Sequence, residues 1–227
     1  IINCPNIIEI PELEQLRHLF LIKCPNLITI NNLEQLIYLH IKDCINIKTI
    51  PEFNNLDHLI IEDCPNVETI PVLSLLNKLY IYNNSKILTI PTLINLQQLE
   101  LIDCYNIIIN SKLLQCNILH VYNCKNIKSI PEFNQLNFLS LIDCPNIIII
   151  PKLDNLEYLY IKNCKNLNDV NNVKIYNKKE IMSFYTISKI KKWYKKRTLY
   201  KKYIACIWQM FEIITIDQMN PHKKNNT

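Results

Sequence analysis

Glycine is absent from all 227 residues, where average usage of about 7% would supply roughly sixteen. That absence excludes a Gly-rich phosphate cradle, and neither common nucleotide fingerprint is present. Left-handed turns must then fall to asparagine, the next most tolerant side chain. Also missing is any apolar run of about eighteen residues, so no membrane-spanning helix is expected. The first ten residues lack a basic segment followed by a long apolar core, so no secretory signal is visible, although a chain opening on Ile1 leaves room for an upstream segment. No CxxC pair and no His adjoining a Cys occurs in the repeated part, which argues against a zinc site.

What is there is a phrase of twenty residues repeated about eight times between residues 11 and 170 with no insertion. Leu19, Leu39, Leu59, Leu79, Leu99, Leu119, Leu139 and Leu159 hold one phase, and an aliphatic residue follows each two positions later. Cys4, Cys24, Cys44, Cys64, Cys104, Cys124, Cys144 and Cys164 hold another; Asn84 is the exception, and Cys116 and Cys206 fall outside the phase. So short a unit cannot bury its own apolar face, and a fixed period of this size implies a solenoid. Equivalent positions in adjacent coils lie about 5 Å apart, nearly within reach of a disulfide. Reduced, buried thiols acting as small hydrophobes are nevertheless expected, because this phase wants a small apolar side chain.

Period-two alternation from Leu19 to Ile22 indicates one short strand per unit, and the Pro and Asn that follow indicate a turn. Twenty residues leave no room for a return helix, so the back of each coil should be extended or a single 3₁₀ turn. Ile30, Ile50, Ile70, Ile90, Ile130 and Ile150 should fill the rear of the core. Asn26, Asn46, Asn66, Asn106, Asn126, Asn146 and Asn166 should form a ladder satisfying backbone groups of the turn. Around residues 84–86 the phrase becomes Asn84-Ser85-Lys86, and in the next unit Asn110-Ser111 and Cys116 intrude; a local change of curvature, a looser joint, or ordinary repeat decay would each explain this.

The consensus P-x-L-x-x-L-x-x-L-x-L-x-x-C-P-N-L-x-x-I resembles the leucine-rich-repeat family, whose phrase LxxLxLxx(N/C)xL is matched at Leu16, Leu19, Leu21, Cys24 and Leu27 with one extra residue before the last. The Ile, Asn and Lys-rich wording and basic tail look most like leucine-rich-repeat proteins of giant DNA viruses of amoebae. The resemblance implies a right-handed superhelix, a parallel sheet on the concave face, and function by protein binding, without cofactor or metal. If it extends to origin, the setting would be the host cytoplasm and the partner a host protein, with the chain itself monomeric.

If Leu19 and Leu21 point inward, the alternate positions of each strand must face out. They carry His18, Phe20, Tyr38, His40, His58, Tyr80, Tyr82, His120, Tyr122, Phe138, Tyr158 and Tyr160, which include four of the five histidines and six of the twelve tyrosines. Aromatic enrichment suits a binding surface. Sheet surfaces also prefer such residues for stacking alone. His18, His40 and His58 fall in neighbouring units, but with no carboxylate expected beside them a metal is disfavoured.

Charge divides the chain: residues 1–170 hold 12 Lys+Arg against 17 Asp+Glu, and residues 171–227 hold 13 against 3. We therefore expect a solenoid over 1–172 and a basic, helical tail over 173–227, with Lys191, Lys192, Lys195 and Lys202 opposite an apolar face. Such a tail suits a cap on the last coil, an anionic membrane, nucleic acid, or a calmodulin-like partner. A ubiquitin-ligase arrangement with Cys206 as nucleophile is disfavoured by the tail's length.

Overall fold

A computed structural model describes residues 1–109 and 113–167. The repeat closes into a parallel β-solenoid of about eight turns, with no helix among the described residues. The main sheet contains β2 (His18–Ile22), β4 (Tyr38–Lys42), β5 (His58–Glu62), β6 (Lys78–Tyr82), β7 (Gln98–Ile102), β8 (Ile118–Tyr122), β9 (Phe138–Ile142) and β10 (Tyr158–Lys162), in that spatial order. Pairing runs without slippage, Leu19 beside Leu39 and Leu139 beside Leu159, because the period of twenty is never broken. On a second side β1 (Glu9–Ile10) pairs with β3 (Thr29–Ile30), and single bridges such as Thr49 to Thr69 continue the same column. The return path closes with backbone turns, Leu16 N–H to Leu13 O at 3.0 Å and Leu36 N–H to Leu33 O at 3.0 Å, in place of a helix.

Inward Leu and Ile residues of every strand are fully buried except near the last coil, and the Ile30, Ile50 and Ile90 column fills the back of the core as expected. Each buried aliphatic side chain contributes about 1.5–3 kcal/mol, and stacking makes the sum additive along the coil. Cysteines occupy the third corner as free thiols whose Sγ donates to carbonyls: Cys44 to Lys42 at 3.3 Å and to Leu21 at 3.6 Å.

The left-handed residue is the one before the repeated cysteine position, which Asn84 fills in one coil. Asn3, Asp43, Asp63, Asn83, Asp103, Asn123, Asp143 and Asn163 have φ between 50° and 55° or, at Asn163, 57°, and Lys23 joins them at 55°. Asparagine thus shares with aspartate the work expected of it alone, and the Asn of the Cys-Pro-Asn phrase does something else. Asn26, Asn66, Asn106 and Asn146 donate to a carbonyl of the preceding coil, at 2.7 Å to Pro5, 2.7 Å to Ile45, 2.9 Å to Ser85 and 2.7 Å to Lys125. Their ladder ties coil to coil. A second ladder, of Asn55 to Glu34 O at 2.8 Å and Asn95 to Ser74 O at 2.7 Å, went unread in the sequence because glutamine or leucine replaces Asn in most units.

Asn84 does not loosen its coil. It is 1% exposed and makes four bonds: Nδ2 donates to Cys64 O at 2.8 Å and Val67 O at 3.1 Å, and Oδ1 accepts from Lys86 N–H at 3.0 Å and Ile87 N–H at 2.8 Å. A buried amide so fully satisfied strengthens the joint. The Asn110-Ser111 irregularity and the helical tail with Lys191, Lys192, Lys195 and Lys202 lie outside the described residues.

Candidate functional site

Strict register determines what the outer sheet face can do, since each outward side chain meets its equivalents from the neighbouring coils. Among the described residues the aromatic columns form three groups along the sheet. At one end Phe20 lies 5.1 Å from Tyr38 and 6.2 Å from His40, and Tyr38 lies 5.9 Å from His58 and 6.2 Å from His18, measured between ring centroids. Toward the other end Phe138 packs 4.9 Å from His120 and 6.1 Å from Tyr158. Tyr80 and Tyr82 stand between them with centroids 6.4 Å apart.

Outward position does not mean outward exposure. Phe20 is 39% exposed and His18 is exposed, whereas His40, His120 and Phe138 are buried beneath their neighbours. Tyr38, His58, Tyr80, Tyr82, Tyr122, Tyr158 and Tyr160 are half-buried. A partner would therefore meet mainly ring edges and the exposed His18 and Phe20, with buried His40 and His120 supporting the surface from beneath.

Two carboxylates on this face went unremarked in the count of aromatic residues. Glu62 Oε2 lies 3.6 Å from His40 Nε2, and its other oxygen accepts a short hydrogen bond from Lys42 Nζ. That corrects the expectation that no carboxylate stands beside the His18, His40 and His58 group. No group of three or more His, Cys, Asp or Glu able to hold a metal ion occurs among the described residues, however. Burial pushes the Glu62 carboxyl up, but the nearby His40 imidazole and the hydrogen bond and charge of Lys42 outweigh it, so Glu62 lies below its ordinary pKa.

Glu100 stands two strands away in an opposite environment. Its register partners are Tyr80 on β6 and His120 on β8. Burial raises it to about 7, and a hydrogen bond from the Tyr82 hydroxyl only partly offsets that. Burial also pushes His120 down to about 4, so this imidazole is neutral at pH 7 and brings no positive charge. Tyr82 is pushed up in turn by its own burial and by Glu100. The signal for both carboxylates lay in the sequence at twenty-residue spacing, Lys42 before Glu62 and Tyr80 before Glu100, and was legible only across the columns.

No protein-family model, curated protein or solved structure matches the chain.

Proposed function

We propose that the protein is a non-enzymatic interaction scaffold of the leucine-rich-repeat type that reads a protein partner on the outer face of its main sheet. One observation carries this reading: an unbroken parallel face of eight strands presents three aromatic groups in fixed register. Tyrosine and phenylalanine concentrate binding energy because they bury a large area at little entropic cost. A cytoplasmic setting, a monomeric chain and a host partner belong to the same proposal, as does the likeness to giant-virus repeat proteins.

Affinity capture from a cell lysate, quantified by mass spectrometry, tests it with Tyr80, Tyr82 and Tyr122 changed together to alanine. The proposal expects specific partners to be lost while the thermal transition stays cooperative; capture unchanged by the triple variant would refute it. A second reading rests on the excess of 13 basic over 3 acidic residues in 171–227, which suits an anionic membrane or nucleic acid. Salt-sensitive binding to anionic vesicles or RNA that survives truncation at residue 172 would remove that alternative.

A further inference from the structure

The cysteine column is built from side chains that can react, and its ends differ from its middle. Cys24, Cys44, Cys64, Cys104, Cys124 and Cys144 are 0% exposed, so a reagent in solvent does not meet them in the folded chain. Cys164 is half-buried, between exposed Asn163 and Lys165. Register sets it beside Cys144: β9 and β10 pair Ile142 with Lys162, Asp143 N–H donates to Lys162 O at 2.9 Å, and the residues before the two cysteines share one left-handed geometry, φ 55° at Asp143 and 57° at Asn163. The two Cα atoms are thereby held roughly one strand spacing apart, about 4.8 Å, within the range of about 4.4–6.8 Å that a disulfide spans. The two thiols are already hydrogen-bonded to each other, and each also reaches the carbonyl two residues before it, Ile142 O at 3.3 Å and Lys162 O at 3.6 Å. At the opposite end Cys4 is half-buried as well, but its Sγ donates to Ile2 O at 3.4 Å, and its neighbour Cys24 is engaged with the Cys44 thiol.

We propose that Cys164 and Cys144 form a dithiol modification site for low-molecular-weight disulfides of the glutathione type, with Cys164 as the entry thiol and Cys144 as the resolving thiol. The site lies at the corner after the strand and does not depend on the sheet-face reading. In the first step the Cys164 thiolate attacks one sulfur of oxidised glutathione: a bond forms between Cys164 Sγ and that sulfur, the glutathione S–S bond breaks, and one glutathione thiolate leaves and is protonated by water. In the second, Cys144 gives its proton to water and attacks Cys164 Sγ, and the second glutathione thiolate leaves. Two protein thiols and one glutathione disulfide thus become one protein disulfide and two glutathione thiols, with two electrons passing to glutathione. The hydrogen bond from the Cys144 thiol holds Cys164 below its ordinary value, against the burial that pushes it up, and the same bond together with burial pushes Cys144 up. The thiolate therefore forms on the sulfur that solvent reaches. Lys162 and Lys165, both exposed and within two residues of Cys164, suit the carboxylates of glutathione.

The test exposes the reduced full chain to excess oxidised glutathione at pH 8 without denaturant and follows adducts over time by peptide mass spectrometry, beside Cys164→Ser and Cys144→Ser. In the native chain a glutathione adduct should appear on Cys164 first and give way to a Cys144–Cys164 disulfide, which dithiothreitol reverses. Cys144→Ser should stop with one glutathione on Cys164, because the resolving thiol is gone. Cys164→Ser should take glutathione at Cys144 at least tenfold more slowly than the native chain takes it at Cys164. A glutathione adduct that persists on Cys164 of the native chain, a bridge from Cys164 to any cysteine other than Cys144, no reaction at Cys164 short of unfolding, or equal rates at Cys144 with and without Cys164 would each overturn the proposal. Should either serine variant lose its cooperative thermal transition, the order of adduct and bridge in the native chain still decides the matter.

Discussion

Glu62 and Glu100 occupy outward positions on the same sheet, on strands two coils apart, and their carboxyls are shifted in opposite senses. Glu62 is buried and Glu100 half-buried, and burial pushes both carboxyls up; what differs is the neighbour supplied by the adjoining coil. Lys42 stands in register with Glu62 on β4, where Glu100 finds Tyr80 on β6 and His120 on β8. The scaffold is thus indifferent to what its face carries, and a single substitution one coil away decides whether a carboxylate is satisfied internally. The charge state of such a face can be set one position at a time without disturbing the Leu, Cys and Asn columns that hold it.

The most severe break in the contrast is Lys42→Ala. It leaves Glu62, at 7% side-chain exposure, with His40 as its remaining partner. Removing one member of a buried pair typically costs about 3–5 kcal/mol, and the partial exposure of Lys42 places this case near about 2–3 kcal/mol. Urea unfolding at pH 7 should show that loss, and the Glu62 midpoint should rise toward the behaviour of Glu100. Because Glu62 is below its ordinary value in the native protein, its contribution is present above pH 4.5 and is lost as pH falls through the folded pKa.

Glu100→Gln should act in the opposite direction. The folded chain holds the Glu100 proton more tightly than the unfolded chain does, so the native carboxyl loses stability as pH rises from 4.5 to about 7 and stays penalised above. Glutamine removes the penalty, and at pH 8 the variant should be about 1–2 kcal/mol more stable than the native chain, discounted for partial exposure. At pH 4 the two should coincide. His120 imposes the reverse slope, losing stability as pH falls from 6.5 toward about 4, but it is common to both proteins and cancels in their difference. A difference between the two proteins that does not change with pH would show Glu100 to be ordinary.

Much of this molecule was legible in its sequence, and the reason is the period. Every strand from β2 to β10 in the main sheet begins at the expected phase, one residue before the repeated Leu, and the Ile30 column fills the rear of the core. Less legible were features that depend on two coils at once. The Asn26 and Asn66 ladder was expected and does satisfy turn carbonyls, but these belong to the preceding coil, at Pro5 and Ile45, and could be assigned only with two coils in view. Asn84 looked like decay because it breaks the Cys column, yet its four bonds need a larger polar side chain at that corner. For the candidate site, the aromatic residues were found and their burial was not. His40 and His120 face outward by alternation and are covered by rings one coil away, which a single-strand reading cannot show.

A milder change would make Glu100 resemble Glu62. His120→Lys places a cation in register with Glu100, the relation that Lys42 has to Glu62. The Glu100 midpoint should fall from about 7 toward the ordinary carboxylate range, and stability at pH 8 should rise by about 0.5–1 kcal/mol, the range for a cross-strand pair. NMR titration checks the midpoint, and urea unfolding at pH 8 checks the stability.

The smallest effect is expected from Tyr82→Phe, and it separates the two carboxylates most cleanly. Tyr82 is in register with Glu62, but its hydroxyl bonds to Glu100. That bond favours the ionised carboxyl, so its loss should move the Glu100 midpoint further up, above about 7. Glu62 draws its stabilisation from His40 and Lys42 and should not move. With the ring retained, packing on Tyr80 is preserved and the cost at pH 8 should be about 0.5 kcal/mol, the low end for one hydrogen bond because Tyr82 is half-buried. Below pH 5 Glu100 is protonated in either protein and the charge-assisted part of that cost should disappear. If Tyr82→Phe shifted both midpoints together, the two carboxylates would be one coupled network, and the contrast between their two environments would fail.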